Sequence, residues 1–148
     1  MVAIKDRDDA ERVYLFVQHL GRRLREIDAR HGLSAARFSV MASLRQHGNE
    51  TVGDLAADER VKAPSMTRLL KDMERGGLVE RVRNPDDGRG VLARLTLAGE
   101  TTFDAARREK IAMVSDHLAT LNPAMRNAIR LALAALEDWA AQPPGSET

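Results

Sequence analysis

At 148 residues the chain has the length of one ordinary domain, and its 43% hydrophobic content favours a folded core although only five residues are aromatic. The lack of cysteine excludes disulfides, thiolate-zinc sites and thiol-based redox sensing, and a net charge of +1 means that any attraction for phosphates must come from a local patch. The opening MVAIKDRDDAERVY lacks the long apolar core of a signal peptide and no run of about 18 apolar residues occurs, so a cytoplasmic protein without a membrane partner is expected.

Helical spacing of Val13, Phe16, Val17, Leu20, Leu24 and Ile27 predicts a long first helix from Asp8 to Arg30, with acids early and arginines late, as the helix dipole favours. Gly32 ends it. Ser34 is the expected N-cap of a second helix through about His47, burying Phe38, Met41 and Leu44 before Gly48 stops it. Thr51 can cap a short third helix from Val52 to about Glu59, with Leu55 and Ala56 facing inward. A tight turn then leads to Pro64, which suits a first helical turn because its missing N–H loses nothing there. From Pro64, Met66, Leu69, Leu70 and Met73 recur at i, i+3, i+4 and i+7, so a fourth helix runs roughly from 63 to 75 and Gly76-Gly77 ends it.

Two stretches of alternating apolar and charged residues follow, Leu78 to Arg83 and Val91 to Thr96, and Asn84 to Gly90 between them is dense in turn formers. They read as a hairpin. Thr96 can cap a long helix from Leu97 to about Leu121, with Phe103, Ile111, Val114 and Leu118 as its stripe. Asn122-Pro123 then opens a last helix to about Ala141, carrying Met125, Ile129, Leu133, Leu136 and Trp139, and the final residues, 142–148, read as a disordered tail. The fold class expected is mainly α with a small β-hairpin wing, an α+β winged helix-turn-helix over 33–96. Helices over 8–32 and 97–141 would form a dimerisation region, because long Ala-rich helices with a wide apolar arc bury it most simply against a second copy.

In a winged helix-turn-helix the second helix of the pair lies in the DNA major groove and the hairpin reaches a neighbouring minor groove. Between Lys62 and Arg94 there are eight Lys and Arg against five Asp and Glu, so this segment is basic. A row of cations opposite an apolar stripe is most often a plain solvated face. Here Arg68, Lys71 and Arg75 are followed by a hairpin of the same sign, and the short polar Ser65 and Thr67 let the helix start approach the bases closely. Arg68 suits guanine edges, while Lys71 and Arg75 suit phosphates. At the hairpin tip, Asp87 and Arg89 could be an ordinary exposed pair, worth little. The other reading has Arg89 entering a narrow minor groove while Asp87 holds its guanidinium extended.

The chain resembles the MarR family of transcriptional regulators (multiple antibiotic resistance regulator type) along essentially all of residues 8 to 141. The resemblance rests on Leu33-Ser34-Ala35-Ala36-Arg37-Phe38-Ser39-Val40-Met41, Leu55-Ala56, Ala63-Pro64-Ser65-Met66-Thr67-Arg68-Leu69, Gly77-Leu78-Val79, and Asp87-Gly88-Arg89 followed by Leu95-Thr96. Position 37, often glutamine in that family, is arginine here, which bears on local contacts rather than on fold. The resemblance implies a homodimeric repressor on a pseudo-palindromic operator in double-stranded DNA. Its contacts would come from Pro64, Ser65, Thr67, Arg68, Lys71 and Arg75 of the helix and from Asp87 and Arg89 of the wing. It also implies a small aromatic or phenolic effector where the outer helices meet the middle domain, a junction that His19 or His117 could line.

The four histidines, His19, His31, His47 and His117, are widely separated with no i, i+3 or i, i+4 pair among them, so no metal site and no cofactor is expected. No nucleophile with a neighbouring base and no phosphate-binding glycine loop is present, which argues against an enzyme. The alternative is a winged helix that binds a protein partner instead of DNA, since fold does not fix function. Such a surface is usually apolar or mixed, whereas this one offers Arg68, Lys71, Arg75, Arg81, Arg83 and Arg89.

Overall fold

The computed structural model describes residues 4–85 and 90–141, so the expected wing-tip pair Asp87 and Arg89 and the expected tail 142–148 lie outside the described residues. The chain divides into two compact units, 1–110 and 111–148. Its elements run α1 (Ile4–Arg30), α2 (Ala35–His47), β1 (Glu50–Thr51), α3 (Val52–Asp58), α4 (Ala63–Arg75), β2 (Val79–Arg83), β3 (Val91–Leu95), α5 (Leu97–Ala119) and α6 (Pro123–Ala140). The mainly helical architecture with a small antiparallel wing agrees with the expectation. Boundaries differ by a residue or two, except that α1 starts a turn before Asp8.

The local causes of these elements are visible in their caps. The Ser34 hydroxyl accepts from the Arg37 N–H to open α2, and Gly48 at φ 85° closes it. Thr51 and Asp54 form a reciprocal capping box at the start of α3. After α3, Arg60 takes the left-handed φ of 52° that lets the chain reverse into α4. The Val61 N–H donates to the Ala56 carbonyl at 2.9 Å across that reversal. Gly77, at φ 71°, supplies the left-handed residue after α4. Thr96 joins three elements: its hydroxyl donates to the Gly77 carbonyl and accepts from the Gly99 N–H at 3.0 Å, capping α5.

The wing holds one strand more than expected. β2 and β3 pair antiparallel with Val79 opposite Leu95 and Arg83 opposite Val91, and the two-residue β1 pairs on the other edge of β3, Thr51 opposite Leu92. The sheet order is therefore β1-β3-β2. Two residues are too few for any hydrophobic period, so their pairing is set by tertiary structure alone.

One core serves α2, α3, α4, the sheet and the first turns of α5. Val40, Met41, Leu55, Met66, Leu70 and Met73 are each at most 1% exposed, and Leu33, Leu44, Ala56, Val79, Ala93, Phe103 and Ala106 complete the cluster. Complete burial of a side chain of this size contributes roughly 1.5–3 kcal/mol. Phe38 and Leu69, expected in the core, are only partly buried at its margin. Phe38 stacks at a tilt on Phe103 with ring centroids 4.9 Å apart.

Charged contacts fasten α1 to α5 within the first unit. The Asp28 side chain is 4% exposed and its Oδ1 lies 2.6 Å from Lys110 Nζ, which also sits 3.1 Å from the centroid of the Phe38 ring. Oδ1 is off the angles of a hydrogen bond and has no other partner among the described residues, so the pairing is chiefly coulombic. Next to it, Glu109 accepts from Arg30 and lies 2.7 Å from His31 Nε2. Those two partners, Arg30 first, hold the Glu109 carboxyl below its ordinary range.

The expected apolar stripes of the long helices are largely uncovered. On α1, Val13, Tyr14, Leu15, Phe16 and Val17 are exposed, Phe16 to 62%. In the second unit α6 has no buried residue, and Leu131 and Trp139 are 67% and 62% exposed.

Candidate nucleic-acid interface

The sequence of α4 divides it sharply into two faces. Met66, Leu70 and Met73 are buried, whereas Pro64, Ser65, Arg68, Lys71 and Arg75 are exposed and Thr67 is half-buried. The expected reading face is thus presented to solvent. Lys62 at the N-cap makes no side-chain cap bond and no acid occupies the first turn, so the positive end of the helix is left unneutralised.

The cations on this surface are not equivalent. Arg75 donates to Asp72 one turn earlier, Arg81 Nε lies 3.3 Å from Glu74, and Arg94 Nε lies 2.8 Å from Glu80. Among the described residues, Arg68, Lys71 and Arg83 have no side-chain partner. The row Arg68, Lys71, Arg75 that reads as purely basic in sequence therefore contains two free cations and one paired with an acid. Asp72 and Glu74 line the same shallow depression as all three. An exposed i, i+3 pair such as Asp72–Arg75 is worth little and opens readily, but it discounts Arg75 relative to its neighbours.

Arg83 is a cation that the site set drawn from the sequence leaves out. In β2 it shares a face with Val79 and Arg81, since side chains alternate along a strand, and Arg81 on that face reaches Glu74 of α4. Arg83 therefore extends from the wing on the same side as α4. Strand period was the signal that could have found it.

A two-helix turn unit, α3 and α4, with an exposed cationic second helix and an adjoining antiparallel wing defines a winged-helix DNA-binding regulator. Comparison with known proteins bears this out: the model of the MarR family matches residues 33–91. The HTH-type transcriptional regulator MT0903.1 of Mycobacterium tuberculosis is 37% identical over 118 residues, which cover 80% of this chain and 82% of that protein. In fold, the chain is similar to a MarR family protein from Bacillus stearothermophilus, with a TM-score of 0.84 at 22% identity over 96% of this chain and 100% of that one. A mutant MepR of Staphylococcus aureus bound to an oligodeoxyribonucleotide gives a TM-score of 0.69 at 16% identity, covering 88% and 96%.

The chain belongs to the MarR family. It is a DNA-binding transcription regulator and not an enzyme, and this membership decides against the protein-interaction module that fold alone leaves open. No helix among the described residues is long and apolar enough to cross a membrane.

Proposed function

We propose that the protein is a homodimeric repressor that binds a pseudo-palindromic operator, with α4 of each protomer in a major groove and each wing in the flanking minor groove. The observation that carries this reading is the exposed Arg68 and Lys71, without a side-chain partner among the described residues, on a helix whose other face is locked into the core. Arg68 reads a base edge, and Pro64, Ser65 and Thr67 let the start of α4 come close. Lys71 and Arg75 meet phosphates, and Arg83 extends the same contact along the wing. Asp87 and Arg89 take the roles of positioner and minor-groove reader that the family resemblance implies.

Dimerisation over 8–32 and 97–141 is supported by the uncovered apolar residues of α1 and α6. Two copies of α4 would then enter successive major grooves about 34 Å apart, on half-sites centred about 10 base pairs apart. A small aromatic ligand that favours a wider separation of the two heads would cost the dimer one head's contacts and release it.

Selection of bound genomic fragments followed by mobility-shift titration tests the reading. Arg68→Ala is expected to weaken specific binding about tenfold or more, the loss of one bidentate base contact, while sparing nonspecific binding. Lys71→Ala should weaken both alike and lower the salt slope by about 1. Arg75→Ala should do less, because its guanidinium is already satisfied by Asp72. Unchanged binding in the first two variants would refute the assignment of α4, and a monomer in sedimentation equilibrium at micromolar concentration would refute the two-headed arrangement. Thermal-shift screening against phenolic acids tests the effector, and no stabilisation across a broad panel counts against that class.

A further inference from the structure

Apart from α4, α2 presents Ser39, Ser43 and His47 at intervals of four, one stripe of a helix. The strand β1 and the end of α3 meet this stripe. Ser39 donates to Glu59 at 2.5 Å, and Ser43 donates to Glu50 Oε2 at 2.8 Å. The Glu50 side chain is only 9% exposed. A carboxylate so far from water needs either a cation or several donors. No lysine or arginine among the described residues pairs with it, and Ser43 brings a single proton.

His47 completes this arrangement. Its Nδ1 stands 3.5 Å from Glu50 Oε1, long for a hydrogen bond, and 3.3 Å from the Ser43 hydroxyl. Asp58, exposed on the last turn of α3, brings a third donor atom, and one atom from each of His47, Glu50 and Asp58 lies within 4.8 Å of the other two. Two ligands about 2.1 Å from a tetrahedral ion stand roughly 3.4 Å apart. The His47–Glu50 spacing already matches that edge, and rotation of the exposed Asp58 side chain closes the rest.

We propose that this corner binds one divalent first-row transition-metal ion, Zn2+ fitting best, through His47 Nδ1 and the carboxylates of Glu50 and Asp58, with water filling the remaining position. One imidazole nitrogen with two carboxylate oxygens is a borderline donor set that selects such ions over Mg2+ and Ca2+, which prefer oxygen alone. The ion takes the lone pair of Nδ1, with the ring proton on Nε2, and neutralises the buried Glu50, while Ser43 fixes the orientation of that carboxylate from behind. The site spans the end of α2, β1 and the end of α3. Asp58 lies two residues before Arg60, the left-handed residue of the turn into α4. A bound ion thereby stiffens the corner that aims the reading helix.

The test uses the untagged full-length protein, stripped with a chelator, dialysed and titrated with ZnCl2 by calorimetry and thermal denaturation. One Zn2+ per chain is expected, with the midpoint raised roughly 5–10 °C at a hundredfold excess over Kd, and no shift with MgCl2. His47→Ala and Asp58→Asn, both at exposed positions, should keep the metal-free midpoint and each lose more than about tenfold in Zn2+ affinity. Absence of saturable binding overturns the proposal. So does full affinity in both variants, which would place the ion elsewhere, and loss in only one of them overturns the three-ligand assignment.

Discussion

Lys110→Met lowers the free energy of unfolding by about 3–5 kcal/mol, the cost of leaving a buried charge without its partner. Methionine keeps the length and apolar stem of lysine, so packing is nearly conserved and the measured loss belongs to the charge. What remains behind is the Asp28 carboxylate, 4% exposed, with its Oδ1 stripped of the ammonium 2.6 Å away. The contact of the same ammonium with the Phe38 ring is lost as well. Urea denaturation of the full chain gives the number. The double variant Asp28→Asn with Lys110→Met removes both charges and should recover much of the loss, since a buried pair replaced as a unit is often close to neutral. A cost below about 1 kcal/mol for the single change would mean that water reaches the pair.

Gly99→Ala is expected to be at least as damaging, by about 3 kcal/mol or more, because the new methyl group is driven into backbone. Its Cβ would overlap the Leu78 carbonyl oxygen and stand 3.0 Å from the carbonyl carbon. That oxygen accepts from the Thr96 N–H at 3.1 Å, so it cannot retreat without breaking the seam between the base of the wing and α5. Gly53→Ala makes the contrast. In α3 an added Cβ would meet only the Thr51 hydroxyl at an ordinary 3.6 Å, and replacing a helical glycine by alanine should stabilise by roughly 0.5–1 kcal/mol. Thermal denaturation of the two variants should therefore move in opposite directions.

The elements that sequence reasoning located well are those whose signals are local. Ser34, Thr51 and Asn122 cap the helices they were expected to cap, and the stripe Met66, Leu70, Met73 fixed both the existence and the facing of α4. What stayed hidden was set by distance along the chain. β1 exists because β3 offers it an edge, and the Asp28–Lys110 pair joins residues that no periodicity relates. Spacing gives Arg75 a phosphate-facing place beside Lys71, and only its rotamer shows that it is paired with Asp72. His47 stands at i, i+3 to Glu50, but Asp58 reaches them from another helix, a relation that no spacing among the histidines carries. The roles of Asp87 and Arg89 rest on the family resemblance, since both lie outside the described residues.

Thr51 belongs to two elements at once: it pairs with Leu92 in the sheet, and its hydroxyl accepts from the Asp54 N–H to begin α3. The hairpin and the helix-turn-helix consequently share a hinge pin. A tilt of the hairpin would therefore pull on the first turn of α3 through this one residue.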